Sequence, residues 1–303
     1  MEDKYKYSTS QLFNFARNSY LERTSRPIYA IVFLLPFIIF YEVGTILVNT
    51  DVLNQSQARV VAFVWLQNLL ELGSGSRLAW VAPPLVVVVI LIALQLVSGK
   101  QWRFCLGDIW PMAVECALLA VPLIVFSLFL SSPVKPQGEI DEFANSAIRV
   151  QTASPLSCSL AAGKSLSSSN AEAGGVEPKT QSLLANIVTG IGAGIYEELV
   201  FRLILICLLM LLFQDVLRLT HKNSIILSVL ISAALFSAHH HVIFVDGQLG
   251  RIAAFNWTEF GFRTIAGIYF AVLFAIRGFG ITAGTHAFYD IIATIINAVF
   301  FQQ

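Results

Sequence analysis

The stretch Glu197-Glu198-Leu199-Val200-Phe201-Arg202 places two carboxylates and a guanidinium inside an otherwise almost entirely apolar run over residues 183–213. A charged side chain at the centre of a membrane helix costs about 2.5–3.5 kcal/mol on insertion scales, so three of them so close together require a reason. On a helix, Glu198 and Arg202 are four residues apart and can pair on one face. Glu197 then lies about 100° round the helix and is left available for chemistry.

Composition places the whole chain in a membrane. Of its 303 residues, 56% are hydrophobic and only 13% are charged, and the mean hydropathy is +0.72. Because soluble domains average about 25% charged residues, we expect an integral, multi-pass membrane protein, in the cell membrane of a prokaryote or the endoplasmic reticulum of a eukaryote. The formal net charge is zero, and nothing in the charge pattern indicates a nucleic-acid partner.

Seven apolar segments are long enough to be considered as membrane spans, since a crossing takes about 20 residues. They cover residues 28–48, 79–98, 109–131, 183–213, 224–244, 261–276 and 281–300. The fourth could be one long tilted helix or two, and residues 59–72 could form an eighth, short or interfacial helix. The predicted fold class is therefore all-α: one membrane domain over residues 1–303, a bundle of seven or eight transmembrane helices around a central polar cavity.

Residues 132–182 do not fit the bundle. They contain Pro133, Pro136 and the small polar tract Ser165-Leu166-Ser167-Ser168-Ser169-Asn170, a composition that buries little surface. We predict a flexible loop between the third and fourth spans. Lys and Arg are denser in the segments that share a side with the N-terminus, which favours a cytoplasmic N-terminus and an extracytoplasmic loop.

Histidines mark two further polar clusters. Phe236-Ser237-Ala238-His239-His240-His241 closes the fifth span, and successive helical residues turn by about 100°, so the three imidazoles cannot all face one site. His239 and His241 are interpreted as interfacial polar groups. In the last span, His286 and Asp290 are four residues apart and share a face, which by itself is also compatible with a buried hydrogen-bonded pair.

Taken together, the clusters indicate chemistry. Glu197, His240, His286 and Asp290 come from three separate apolar segments, and ionisable groups inside a membrane normally face a cavity or one another. Two acids and two imidazoles in one cavity could carry out general acid–base chemistry on a water molecule. They could equally form a zinc site, since glutamate and histidine are both zinc ligands.

Three motifs in order, Glu197-Glu198-xxx-Arg202, Phe236-xxx-His240 and His286-xxx-Asp290, resemble those of the CPBP family, the CAAX proteases and bacteriocin-processing enzymes. This family includes the type II CAAX prenyl endopeptidases and the bacterial Abi proteins. The resemblance covers about residues 183–300.

The resemblance implies a glutamate-dependent intramembrane endopeptidase that needs no catalytic metal and no other cofactor. Its partner would be a peptide or membrane-anchored protein substrate in the lipid bilayer. By motif position, Glu197 would be the general base that activates water and His240 would help to hold that water. His286 would stabilise the oxyanion, and Glu198 and Arg202 would form a supporting ion pair.

Asp290 departs from the family pattern, because the well-studied CAAX enzymes carry Asn at this place. An ionised aspartate cannot donate a hydrogen bond to an oxyanion. Asp290 would therefore either act as a protonated acid or orient His286, and the resemblance places it among the catalytic residues with both roles open.

Two other function classes stay open. The chain could be a non-catalytic immunity or scaffold protein of the same fold. It could also be a proton-coupled transporter, with Glu42 and Glu115 as further intramembrane acids, although more acids of this kind hydrogen-bond to neighbouring helices. Transporters commonly show internal repeats, and no convincing repeat is found.

Overall fold

The computed structural model describes residues 18–47, 82–131, 178–245, 248–251 and 256–300. The helices are α1 (Tyr20–Thr24), α2 (Pro27–Leu47), α3 (Ala82–Ser98), α4 (Ile109–Ser131), α5 (Pro178–Glu198), α6 (Ile206–Leu211), α7 (His221–His239), α8 (Trp257–Arg277) and α9 (Phe279–Phe300). A 3₁₀ turn, Leu106–Asp108, leads into α4, and two π-helical segments, Leu199–Leu205 and Leu212–Val216, flank α6. Strands β1 (Val242–Val245) and β2 (Gln248–Arg251) form an antiparallel hairpin.

The predicted multi-pass helical bundle is confirmed. Six helical stretches of the described chain are long and apolar enough to cross a membrane, and α3 is a shorter apolar helix. Each corresponds to one of the seven predicted spans. The predicted short helix over residues 59–72 lies outside the described residues.

The fourth span is one continuous helix, from Pro178 through both π-helical segments to Val216. At about 1.5 Å per residue it is about 60 Å long, roughly twice the thickness of the hydrocarbon core. The helix begins at Pro178, a residue well suited to a first helical turn, so its first five residues belong to the segment 132–182 that the composition predicts as a loop. The rest of the predicted loop, residues 132–177, lies outside the described residues.

The π-helical segment Leu199–Leu205 begins directly after Glu198. Such segments widen the helix, are rare, and occur often at functional sites. Here the wider turn shifts the angular position of every residue after Glu198 relative to Glu197 and Glu198. Side chains before and after Glu198 are therefore not related by the regular turn of an α-helix.

The fifth span ends sooner than predicted. The helix α7 stops at His239, His240 is its C-cap, and the chain then enters β1 instead of continuing as a helix to residue 244. Val242, Ile243 and Phe244 are β-branched or aromatic residues that favour a strand, and the apolar run they extend cannot by itself distinguish a helix from a strand. The pairs Val242↔Arg251 and Val245↔Gln248 set the hairpin register.

Glycines bring the α5 backbone against its neighbours. A Cβ atom on Gly194 would lie 2.5 Å from the backbone nitrogen of Ala287, and one on Gly190 would lie 2.7 Å from the Cβ of Asp290. A Cβ on the intervening Gly192 would overlap the Tyr41 ring of α2. Small residues at such contacts let membrane helices approach closely. The close contact with α9 sets the register that places Glu198 beside His286.

Candidate functional site

The carboxylate of Glu197 is buried at the end of α5 and faces two imidazoles. Its Oε1 lies 3.4 Å from Nε2 of His239, and its Oε2 lies 3.8 Å from Nε2 of His240. The sequence predicted that Glu197 and His240 face one cavity, and the structure brings the two together. Both distances are longer than that of a tight hydrogen bond. The carboxylate oxygens and the two Nε2 atoms therefore keep capacity to hydrogen-bond a third, small molecule.

His239 belongs to this site, although the sequence indicated an interfacial group. Its side chain is buried, and Nδ1 lies 2.6 Å from the carbonyl oxygen of Phe236. A carbonyl oxygen only accepts, so Nδ1 must carry the proton. In a neutral His239 ring, Nε2 is therefore an acceptor that points at Glu197.

The prediction about His239 was wrong because the helix ends there. The rule that successive side chains diverge by about 100° holds only inside a helix, and α7 stops at His239 with His240 as its cap. The rings of His239 and His240 have centroids 3.9 Å apart. The polar run at the end of an apolar span was the available signal for a helix end at this point. The next ring, that of His241, packs near Phe260 with a centroid distance of 6.1 Å.

His286 lies between two carboxylates. Its Nδ1 is 2.8 Å from Oε1 of Glu198, and its Nε2 is 3.6 Å from Oδ2 of Asp290. Two nitrogens that each face a carboxylate oxygen suit an imidazolium, in which both nitrogens donate. The ring also stacks on Phe270, with centroids 4.6 Å apart and planes 17° apart, so its orientation is fixed on several sides.

The predicted pair of Glu198 and Arg202 is present and fully buried, with Nε of Arg202 at 3.1 Å from Oε2 of Glu198. The guanidinium carbon lies 4.1 Å from the centre of the Phe236 ring, a cation–π distance. Phe236 is thereby placed among the rings of His239, His240 and His286. Glu198 has a second contact that the sequence did not predict, because it bridges Arg202 to His286.

Glu197, His239 and His240 also form a possible metal-binding group, with one ligand atom from each within 4.8 Å of the others. One carboxylate and two imidazoles are a donor set that zinc accepts, and the Phe236 carbonyl on Nδ1 of His239 resembles the outer contact typical of a metal-bound histidine. The sequence placed Glu197, His240 and His286, with Asp290, together as the possible zinc site. That set needs correction, because His286 is turned toward Glu198 and Asp290 and His239 takes its place.

The intramembrane acids Glu42 and Glu115 lie apart from these contacts. Glu42 accepts a hydrogen bond from the Tyr196 hydroxyl at 3.4 Å, and Glu115 pairs with Arg277. Both contacts connect neighbouring helices. This agrees with a hydrogen-bonding role for the two acids, which is more common for such residues than a role in transport.

Residues 179–292 match the family of proteins described as type II CAAX prenyl endopeptidase Rce1-like. The matched segment contains all three motifs and every residue of the site described above. No curated protein and no solved structure matches the chain. Over this segment the chain is similar to that family, in agreement with the resemblance that the three motifs carry.

Proposed function

We propose that this protein, which is similar to the type II CAAX endopeptidases over residues 179–292, is an intramembrane endopeptidase that hydrolyses a peptide bond with water activated by Glu197. The observation that carries the proposal is the buried Glu197 carboxylate with two imidazoles at 3.4 and 3.8 Å. The substrate is a peptide or membrane-anchored protein, and a prenylated CAAX tail is the first candidate because the family is described by that activity.

A water molecule fits the arrangement of donors and acceptors around Glu197. Because Nδ1 of His239 carries the proton, Nε2 can accept one hydrogen of the water while the Glu197 carboxylate accepts the other. His240, whose side chain is 27% exposed, contacts the same carboxylate from the more open side. The water oxygen then keeps a lone pair for the substrate carbonyl.

The reaction proceeds by addition and elimination. Glu197 takes a proton from the water as its oxygen bonds to the carbonyl carbon, and the carbonyl electron pair moves to oxygen. The oxyanion is stabilised by the Nε2–H of His286. The C–N bond then breaks as the protonated Glu197 returns its proton to the leaving nitrogen, which gives a carboxylic acid and an amine.

Glu198 and Arg202 act through His286. Glu198 accepts the Nδ1–H bond of that ring, which directs the opposite nitrogen toward the reaction. Arg202 balances the buried charge of Glu198. Asp290, at 3.6 Å from Nε2, adds a second anionic neighbour to the imidazolium and is proposed as an orienting carboxylate.

The test compares purified wild-type protein with Glu197→Gln in lipid nanodiscs. The probe is a prenylated peptide with a CAAX terminus, and the products are identified by mass. We expect a loss of about 10²–10⁴-fold, the usual contribution of a general base, with an unchanged melting temperature. Cleavage by Glu197→Gln at the wild-type rate would overturn the proposal. A phenotype that survives this substitution would instead support the scaffold function, and proton uptake coupled to a solute would support the transporter.

A zinc-dependent form of the same hydrolysis is the second candidate, because Glu197, His239 and His240 fit a metal. A bound zinc ion would supply a Lewis acid and lower the pKa of its water. Treatment with a strong chelator separates the two candidates. We expect full activity after chelation and well under one zinc per chain by elemental analysis. Activity that is lost on chelation and restored by zinc would favour the metal.

A further inference from the structure

Four arginines are buried in the described part of the chain, and three of them have a close carboxylate partner. A carboxylate oxygen lies at 2.6 Å from Arg26, at 3.1 Å from Arg202 and at 2.5 Å from Arg277. Buried guanidinium groups are normally paired in this way, because an uncompensated buried charge is costly.

Arg263 on α8 is the exception. Its side chain is only 10% exposed, and its carboxylate neighbour, Glu259 one turn earlier on the same helix, is 3.9 Å away. Within the ranges that the structure describes, no hydrogen bond reaches its guanidinium. Glu259 therefore balances the charge of Arg263 from 3.9 Å without a short contact to its hydrogen-bond donors.

The neighbouring contacts place Arg263 at the catalytic site. The hydroxyl of Ser237 donates to the carbonyl of Phe260 at 2.7 Å, and a Cβ on Gly267 would lie 3.0 Å from the Cα of Ala233. Arg263 lies between these two points, on the part of α8 that packs against the last turns of α7. This is the end of α7 that carries His239 and His240, the two imidazoles that face Glu197.

We propose that Arg263 binds a carboxylate at the C-terminal end of the substrate and so sets the specificity of the site. The inference rests on the proposed peptidase function and adds a substrate class to it. The planar guanidinium presents paired donors that match a carboxylate, and such charge-assisted bonds are the strongest hydrogen bonds available to a protein. The carboxylate would be either the C-terminal group of the substrate or an acidic side chain.

The test uses the full chain in nanodiscs and three versions of one prenylated CAAX peptide. The first ends in a free carboxylate, the second in a carboxamide, and the third is a carboxamide with an acidic last residue. For wild type we expect kcat/KM to be about 10–100-fold higher with the preferred carboxylate, as suits one charge-assisted contact. Preference for the first peptide assigns the C-terminal group, and preference for the third assigns the side chain.

Arg263→Gln should lower the rate on the preferred acid much more than the rate on the neutral amide, so that the ratio of the two rates falls to about one. Glu259→Gln is the matched control, and it should keep the preference for the acid. Two results would show that Arg263 only pairs with Glu259 and would overturn the inference. One is an equal loss of rate on the acid and the amide peptides in Arg263→Gln, and the other is the same loss of acid preference in Arg263→Gln and Glu259→Gln. Inhibition by inorganic phosphate that depends on Arg263, with equal cleavage of all three peptides, would also overturn it.

Binding to the Glu197→Gln protein gives a second measurement that does not need hydrolysis. We expect the free acid to bind about tenfold more tightly than the amide, and we expect Arg263→Gln to remove this difference. If wild type cleaves no peptide but the difference is present, the peptidase proposal fails and the carboxylate site stands. If cleavage occurs and no variant changes the acid preference, the carboxylate site fails alone.

Discussion

Two buried charged regions of this protein are built differently. In one, which we call the Glu115–Arg277 network, Arg277 donates to Glu115 at 2.7 Å, to the Leu21 carbonyl at 2.9 Å and to the Thr24 hydroxyl at 2.9 Å. The Tyr20 hydroxyl completes the network by donating to Glu115 at 2.8 Å. In the other, Glu197 faces its two imidazoles at 3.4 and 3.8 Å.

The difference separates charges that hold helices together from charges to which we assign a chemical role in the proposed reaction. Every short contact of the Glu115–Arg277 network joins α1, α4 and α8, and a fully satisfied network adds rigidity. The distances around Glu197 are longer, as suits a carboxylate that would also bind a water in the proposed reaction. Arg202 and Glu198 lie beside the second region and are paired at 3.1 Å, as in the first, but Nη1 of Arg202 has no hydrogen-bond partner among the described residues.

The largest effect on stability is expected for Arg202→Ala. It leaves Glu198 buried without its charge partner, and the breaking of such a pair costs about 3–5 kcal/mol. We expect a lower yield of folded protein after detergent extraction and a lower melting temperature. Glu197→Gln, which keeps the shape of the side chain, is the control and should melt like wild type. Normal folding of Arg202→Ala together with full activity would contradict this division between the two kinds of charge.

Local rules predicted much of this arrangement. The length of a membrane span and the four-residue spacing of a helix were sufficient for the spans and for the Glu198–Arg202 pair. They were not sufficient for the contact of Glu198 with His286, because the register between α5 and α9 depends on the approach of Gly194 to Ala287. No pattern within one segment carries that information.

The position of His239 was missed for a related reason. A helix end depends on where the chain can next find hydrogen bonds, and here the hairpin that follows His241 supplies them. Periodicity inside the apolar run continued past this point and predicted a longer helix. The cluster of histidines was therefore visible in the sequence, but the part that His239 plays in it was not.

Substitution of the two histidines one at a time measures how they share the water. His239→Ala should lower kcat/KM by about 10²–10³-fold, the usual effect of one lost hydrogen-bonding group at a reacting centre. His240→Ala should cost less, since its nitrogen is farther from Glu197 and its side chain more exposed. Peptide cleavage and the melting temperature are measured for both. A larger loss in His240→Ala would return the main role to the histidine that the motif indicated.

Glu115→Gln in the Glu115–Arg277 network should have the opposite result to Glu197→Gln: it should lower stability and leave activity unchanged. Glu115→Gln weakens the charge pairing of Arg277, and a hydrogen bond to a charged group contributes about 1.5–3 kcal/mol. We expect a lower melting temperature and an unchanged kcat/KM per folded molecule. If Glu115→Gln instead abolished cleavage at full stability, the contrast between the two regions would be lost and the acid would belong to the chemistry.

The smallest effect is expected at Asp290. Its carboxylate is 3.6 Å from Nε2 of His286, while Glu198 already holds the other nitrogen of the ring at 2.8 Å. Asp290→Asn should therefore reduce kcat/KM by about tenfold or less, because the imidazolium loses only the more distant of its two carboxylate neighbours. Glu198→Gln, which weakens the shorter contact, should cost more in the same assay. An increase in activity with Asp290→Asn would show that this residue donates to the oxyanion, because an amide donates at any pH whereas an ionised carboxylate cannot.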